Sequence, residues 1–140
     1  PMEADELNSQ LRANEVDTIF LVAPTTREER VASITKHCSG YLYYVSLKGV
    51  TGAALTDLDS VKENINKLRL QTKLPIVIGF GIKDASSAAA MGTLADGVII
   101  GSALVEKIGL LADQIEQDGA LLSDTVSVIS EAREALDKLV

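Results

Sequence analysis

The sequence predicts an α/β fold in which every strand is parallel to its neighbours. Apolar strands and amphipathic helices alternate along the chain, and no hairpin signal joins any two strands. Two runs, Pro75-Ile-Val-Ile-Gly-Phe-Gly-Ile82 and Gly97-Val-Ile-Ile-Gly-Ser102, consist largely of Ile and Val and reach glycine abruptly. Such runs are typical of parallel strands that are buried on both faces. With 140 residues, of which 46% are hydrophobic, the chain is expected to form one domain over residues 1–140.

The first helix and the first strand are predicted near the N-terminus. Pro1 and the acidic residues after it suit a helix start, because negative charge is favourable at the positive end of the helix dipole. Leu7 and Leu11 form the predicted buried stripe, and Asn14 is expected to end the helix. The apolar, β-branched run 18–23 then predicts a strand.

A second helix is predicted to begin at Thr26, since Thr26 and Glu29 have the spacing of a capping box. Its buried stripe is expected to comprise Val31, Ile34 and Cys38. Cys38 is therefore predicted to be a core thiol rather than a nucleophile.

The second strand is predicted over 41–46 and holds all three tyrosines of the chain. Alternation sends two sets of residues to opposite faces of the sheet: Tyr41, Tyr43 and Val45 to one, and Leu42, Tyr44 and Ser46 to the other. The tyrosines could simply pack with their hydroxyl groups at the sheet edge. A tyrosine near the C-terminal end of the strand could instead offer its hydroxyl group to a ligand.

The loop 47–54 is rich in small residues, and a loop on a rigid scaffold can act as a mobile lid. Thr56 or Asp57 is predicted to cap the third helix. The buried stripe of this helix comprises Leu58, Val61, Ile65 and Leu68, and its solvated charges are Lys62, Lys67 and Arg69.

After the third strand, Asp84 is predicted to cap an alanine-rich helix that packs closely on the sheet. The fourth strand follows at 97–100, and a short helix is predicted from Ser102 to Lys107. A final amphipathic helix follows Gly119, with an apolar stripe of Leu122, Val126, Ile129, Ala132 and Leu136.

The composition excludes several classes of function. A net charge of −7 argues against binding to nucleic acid or to an anionic membrane surface. No apolar run reaches the ~18 residues that a membrane span needs. The single cysteine, Cys38, permits no internal disulfide and favours a reducing, cytosolic compartment. The neighbouring His37 and Cys38 would need carboxylate partners to bind zinc, so no metal site is expected.

Three small-residue loops follow successive predicted strands: Gly49 to Gly52, Gly79 to Gly81, and Gly101-Ser102. In a parallel α/β fold these loops share the edge where the strands end, which is where ligands bind. Glycine leaves room for a ligand to approach the backbone, so the loops suit a phosphate group. Each glycine taken alone is explained equally well by a tight turn.

The position of these loops favours half of an eight-stranded barrel over an open sheet. An open doubly wound sheet usually places its glycine-rich phosphate loop after the first strand, and the segment 23–26 contains no glycine. Glycines after the last two strands, followed by a short helix, are typical of the phosphate site of a (β/α)₈ TIM barrel. A complete barrel needs ~250 residues, so this chain is predicted to supply the C-terminal half, about four strands.

These motifs, in this order and spacing, resemble the tryptophan synthase alpha subunit family. The resemblance rests on Gly49-Val-Thr-Gly-Ala53, Gly79-Phe-Gly-Ile82 and Gly101-Ser-Ala103, and extends to the leading segment 1–6. It implies a cytoplasmic lyase of tryptophan biosynthesis that cleaves indole-3-glycerol phosphate to indole and glyceraldehyde 3-phosphate. It also implies that the chain holds no cofactor itself, and that it pairs with a beta subunit that carries pyridoxal phosphate.

The resemblance also implies roles for particular residues. The substrate phosphate is assigned to Gly52, Gly81, Gly101 and Ser102. Phe80 would lie against the indole ring, Tyr43 would reach the substrate, and Thr51 would support the catalytic aspartate. Leu47 departs from the family, since some relatives carry a basic residue there.

The family's catalytic glutamate and aspartate belong to the second barrel strand and the following loop, which would precede Pro1. Asp57 and Asp59 are better explained as helix caps. We therefore expect the chain to be inactive alone, to be half of a longer chain, and to need the complementary N-terminal half. The alternatives are a non-catalytic, phosphate-binding half-barrel that pairs with itself, and half of another phosphate-binding barrel enzyme, such as one of histidine biosynthesis.

Overall fold

The computed structural model of the chain describes residues 4–46, 58–111 and 120–139. Helices and strands alternate as predicted, and a sixth helix closes the order. The elements are α1 (Asp5–Ala13), β1 (Phe20–Val22), α2 (Glu28–His37), β2 (Leu42–Val45), α3 (Leu58–Arg69), β3 (Ile76–Gly79), α4 (Ala85–Gly92), β4 (Gly97–Ile99), α5 (Ser102–Leu111) and α6 (Ala120–Asp137).

The four strands form one parallel sheet in the order β1-β2-β3-β4. The helices cover one face of this sheet, where Phe20 and Val98 are partly buried. The largest enclosed side chains are Val22, Leu42, Tyr44, Ile76 and Ile78 of this face and Ile65 of α3. The opposite face carries Leu21, Tyr43, Val45, Val77 and Ile99, which are partly or largely exposed in this chain. The prediction that the strands are buried on both faces is thus met on one face only, because a half-barrel leaves its inner face open.

The predicted stripes on α2 and α3 and the predicted close packing of α4 agree with the structure. Val31, Ile34 and Cys38 on α2 are buried, as are Ile65 and Leu68 on α3, and Ala88 on α4 is fully enclosed. The predicted stripe on α1 is wrong. Leu7 is 57% exposed, whereas Asn8 is buried because its amide group bonds to the His37 carbonyl and the Thr18 hydroxyl group.

The predicted stripe on α6 is only partly correct. This helix buries Thr125, Val128 and Ala132, and leaves Val126 and Ile129 exposed. The sequence of α6 holds two apolar stripes, and periodicity alone did not show which of them faces the neighbouring α4.

The two predicted caps also had different outcomes. Asp84 caps α4 in a capping box with Ser87, as expected. The capping box at Thr26 is wrong, because α2 begins at Glu28 and the Thr26 hydroxyl group instead accepts a hydrogen bond from Ala23 N–H. Finally, α5 extends beyond the predicted Lys107 to Leu111.

Candidate functional site

The carboxyl ends of the four strands form one edge of the sheet, which we call the rim. The register pairs Val45 with Gly79, and Gly79 with Ile99. The segments that follow, 80–82 and 100–102, therefore leave the sheet side by side. Tyr43, Phe80, Gly81, Gly101 and Ser102, to which the resemblance assigns substrate contacts, thus belong to three neighbouring strands or to the segments that directly follow them at this rim.

Tyr43 lies on the inner face of the sheet and leans diagonally across the neighbouring strand. Its direct partner in the register is Val77, and its phenol ring reaches the next inward position, Gly79. A Cβ atom at Gly79 would overlap that ring, with the Tyr43 hydroxyl group nearest. A side chain at position 79 would therefore require the Tyr43 ring to move.

Phe80 and Gly81 turn the chain sharply as it leaves β3. Phe80 has φ of 95° and Gly81 has φ of 75°. Glycine suits position 81 because the turn requires a positive φ there. Phe80 also has a positive φ, and for a phenylalanine this backbone conformation is strained. The strained turn leaves the Phe80 ring 44% exposed at the rim.

Gly101 differs from both other glycines. A Cβ atom there would meet no atom within 4 Å, and its φ lies outside the left-handed region. Packing and backbone conformation therefore do not require glycine at this position. Its carbonyl group accepts the first hydrogen bonds of α5, from Leu104 N–H and Val105 N–H, each at 3.1 Å.

The N-terminus of α5 also differs from those of α1 to α4 in the charge of its side chains. Each of those four helices has a carboxylate at its cap or in its first turn, whereas the first turn of α5 has none. Gly101 brings no side chain to cap the N–H groups of Ser102 and Ala103. Unpaired N–H groups at a helix N-terminus attract anions.

Asp84 is the acidic side chain that follows β3 in the described part of the rim. The Ser87 hydroxyl group and the Ser87 N–H bond to it, and these hydrogen bonds lower the pKa of Asp84. A general acid needs a raised pKa, so this carboxylate serves as a helix cap rather than a proton donor.

Thr51 and Gly52, the other two assigned residues, lie outside the described residues, as do Leu47 and Asp57. Asp59, the second acidic residue considered near this loop, lies exposed in the first turn of α3. Within the described ranges, no three residues among His, Cys, Asp and Glu come together as a metal ion would require. No helix in those ranges is long and apolar enough to cross a membrane.

A cavity of about 770 Å³ lies at the opposite end of the rim, beside the free edge of β1. It is lined by residues of β1 and β2, by the segment that leads into α2 and by α2 itself, among them Leu21, Val45, Arg27 and Arg30. It adjoins the unpaired strand edge and lies away from Gly81 and Gly101.

Comparison with known proteins identifies the family. The family profile described as tryptophan synthase alpha chain matches residues 1–134. The chain belongs to the tryptophan synthase alpha chain family. Among its relatives, the alpha chain of Marinobacter nauticus is 45% identical over 99% of this chain and 50% of that relative. The alpha chain of Acinetobacter baumannii is 44% identical over 100% of this chain and 51% of its own length.

Solved structures agree with this assignment. Tryptophan synthase subunit alpha from Legionella pneumophila superposes with a TM-score of 0.81 at 36% identity, covering 99% of this chain and 49% of that one. The Campylobacter jejuni subunit gives a TM-score of 0.75 at 30% identity, covering 94% and 49%. The chain spans about half the length of these alpha chains, and its fold is the C-terminal half of a (β/α)₈ barrel, as predicted.

One contact that shapes this site is not predicted from the sequence. The sequence indicates that Gly79 ends a strand and begins a small-residue loop, and only the structure shows that the Tyr43 ring lies against it. Tyr44 lies on the opposite, helix-covered face of the sheet and does not border the site. Its hydroxyl group is buried without a well-formed hydrogen bond among the described residues, and burial raises the pKa of this phenol.

Proposed function

We propose that this chain supplies the phosphate-binding half of a tryptophan synthase alpha subunit. The complete subunit would cleave indole-3-glycerol phosphate to indole and glyceraldehyde 3-phosphate. Family membership supports this proposal, and Gly101 is the observation that carries it. Glycine at position 101 has no packing or conformational reason, but it leaves the N-terminus of α5 open to an approaching phosphate.

Several backbone N–H groups would bind the phosphate together. The N–H groups of Gly81, Gly101 and Ser102, together with the Ser102 hydroxyl group, offer donors without a lysine. A dianion suits such a site, because the helix dipole and the oriented N–H groups both favour negative charge. Gly52 is proposed as a further donor by resemblance alone.

The other end of the substrate would lie towards the inner face of the sheet. Phe80, half exposed at the rim, is proposed to lie against the indole ring, and Tyr43 to border the same space. Thr51 is proposed to support the catalytic aspartate. The acid–base groups themselves are proposed to come from the first half of the barrel, since the described carboxylate beside β3, Asp84, is engaged as a cap.

The complementary N-terminal half is the proposed partner of the open inner face. That face and the free edge of β1 expose apolar groups such as Leu21, which is 61% exposed. An exposed edge and apolar face favour association with a matching half-barrel. The assembled subunit is further proposed to be cytoplasmic and to pair with a beta subunit, where pyridoxal phosphate would be bound. No cofactor is proposed for this chain.

The test combines this chain with the first half of an alpha chain, either mixed or joined in one polypeptide. We expect a one-to-one assembly that releases indole from indole-3-glycerol phosphate, whereas neither half does so alone. Gly101→Val should abolish substrate binding, because its side chain fills the approach to α5. Thr51→Val should leave binding largely intact and slow the cleavage.

Two outcomes would reject the proposal. The first is an assembly of correct mass whose Gly101→Val variant binds substrate normally. The second is a chain that forms only a stable homodimer and does not bind the complementary half, which would favour the self-associating half-barrel instead.

A further inference from the structure

The helix that would present its N-terminus to the phosphate is itself loosely embedded. None of the α5 side chains over 102–110 is fully buried, and Val105 and Leu110 are 67% and 73% exposed. The helix packs against α6 rather than into the core. The chain attaches its N-terminal end to β4, and its tilt is set largely by the contacts that it makes with α6.

Lys107 makes a specific contact of this kind. From α5, its ammonium group donates to the Ser127 hydroxyl group at 2.6 Å and to the Asp124 carbonyl group at 3.2 Å. Both acceptors belong to one turn of α6. The Lys107 side chain is half buried, and hydrogen bonds from a charged donor are stronger than those between neutral groups.

In contrast to α5, α6 is firmly attached to the rest of the fold. Its Val128 and Ala132 are buried, and the helix crosses α4 so closely that a Cβ atom at Gly92 would overlap the side chain of Leu136. The first helical position of α4 is fixed in turn by the Asp84 cap. A residue that joins α5 to α6 therefore ties the proposed phosphate-binding end to the sheet.

We infer that Lys107 is a positioning residue for phosphate binding, which holds α5 so that its first N–H groups point to the substrate at the rim. This inference rests on the proposed function. Lys107 lies five residues after Ser102, roughly 7.5 Å along the helix axis at 1.5 Å per residue, so it acts through the helix rather than by touching the phosphate. Donor groups must be held within about 0.5 Å and 10–20° of the productive geometry, so a small tilt of α5 weakens binding.

The test uses the complete barrel, with this chain joined to the first half of an alpha chain. Lys107→Met and Ser127→Ala should each raise the KM for indole-3-glycerol phosphate about 10- to 100-fold, the size expected for one lost hydrogen bond from a charged donor, with kcat within about twofold. Each should also weaken the binding of inorganic phosphate, measured from the amide resonances of Ser102 and Ala103. Lys107→Arg should restore both values.

Two controls separate positioning from other effects. Lys62→Met removes an exposed lysine of α3 and should change neither KM nor phosphate affinity. Ser127→Ala keeps the charge of Lys107, so its effect cannot come from a weaker electrostatic attraction to the phosphate. The double variant Lys107→Met/Ser127→Ala should be no worse than Lys107→Met alone, because both changes break the same contact.

The outcomes are distinguishable. If the unchanged barrel binds inorganic phosphate at Ser102 but Lys107→Met binds it equally well, the inference is overturned and the proposed function stands. A Lys107→Met variant with a lower melting temperature and an unchanged KM also overturns the inference, since the role of Lys107 is then only structural. If the unchanged barrel shows no phosphate effect at Ser102, the proposed function and this inference fail together.

Discussion

The phenol ring of Tyr43 occupies the space in which a side chain at Gly79 would begin. The two residues are on neighbouring strands, Tyr43 two positions before Val45, the residue that pairs with Gly79. This contact fixes the tyrosine ring across the inner face of the sheet at the rim. The shape of the site beside Phe80 therefore depends on the absence of a side chain at Gly79.

Gly79→Ala should destabilise the protein and displace the Tyr43 ring. Added atoms in a packed site cost about 1–3 kcal/mol, and we expect a loss of that size in urea unfolding. Gly97→Ala is the matched control, because a Cβ atom there would meet only Val77 methyl groups at 3.6 Å and 3.8 Å. Tyr43→Val/Gly79→Ala should recover much of the loss. Additive effects of the two substitutions would show that the contact does not limit position 79.

The strained backbone at Phe80 gives a second prediction. Phe80→Gly and Phe80→Ala both remove the ring, but only glycine relieves φ of 95°. Relief of about 1–3 kcal/mol exceeds the entropic cost of glycine, about 0.5–1 kcal/mol, so Phe80→Gly should be the more stable variant. Chemical denaturation compares the two. Equal stabilities of the two variants would mean that the backbone at Phe80 is unstrained. Because both variants lack the ring, both should also bind an indole-bearing substrate more weakly.

Asp96 predicts a pH dependence of stability. Burial alone would raise its pKa, but a hydrogen bond from Ile76 N–H and the ion pair with Arg69 outweigh burial and lower it. A carboxyl group with a lowered folded-state pKa stabilises the protein above its unfolded-state pKa, and this contribution disappears as the pH falls through the folded-state pKa.

Asp96→Asn should therefore be less stable than the parent at neutral pH. The difference should shrink as the pH falls below about 4 and disappear once the pH is below the lowered folded-state pKa. The pair is partly exposed, so we expect about 0.5–1 kcal/mol at low salt. Unfolding measured from pH 3 to pH 7 tests this. Arg69→Met, which removes only the ion pair, is the control, and a difference that does not change with pH would contradict the assignment.

The cap of α4 gives the fourth prediction. The Asp84 carboxylate accepts a hydrogen bond from Ser87 N–H at 2.7 Å. The Ser87 hydroxyl group accepts a hydrogen bond from Asp84 N–H at 3.2 Å, which completes the capping box. Asp84→Ala should cost about 1 kcal/mol in thermal or urea unfolding. Asp59→Ala, an exposed acidic residue in the first turn of α3, should cost less. If the two losses are equal, the box contributes nothing beyond the charge at a helix end.

The alternation of elements, the parallel sheet and the sharing of one rim could all be predicted from the sequence. They depend on local periodicity and on glycine at strand ends, which the chain displays without reference to distant residues. The helix faces were less predictable. On α1 the sequence favoured Leu7, yet the fold buried Asn8, because the His37 carbonyl and Thr18 hydroxyl groups happen to meet there.

The sequence by itself determined where the strands stop and which residues gather at their ends. Only the tertiary structure decided why each glycine is present. The Tyr43 ring fills the space that a side chain at Gly79 would need, and Gly81 has a positive φ. Gly101 has neither feature, and its lack of a side chain leaves the N-terminus of α5 accessible. The first cause is a contact between residues far apart in the chain, the second is a backbone dihedral angle, and the third is open space, and each is visible only in three dimensions. The sequence shows only that each of these residues is glycine, so it cannot distinguish the three causes.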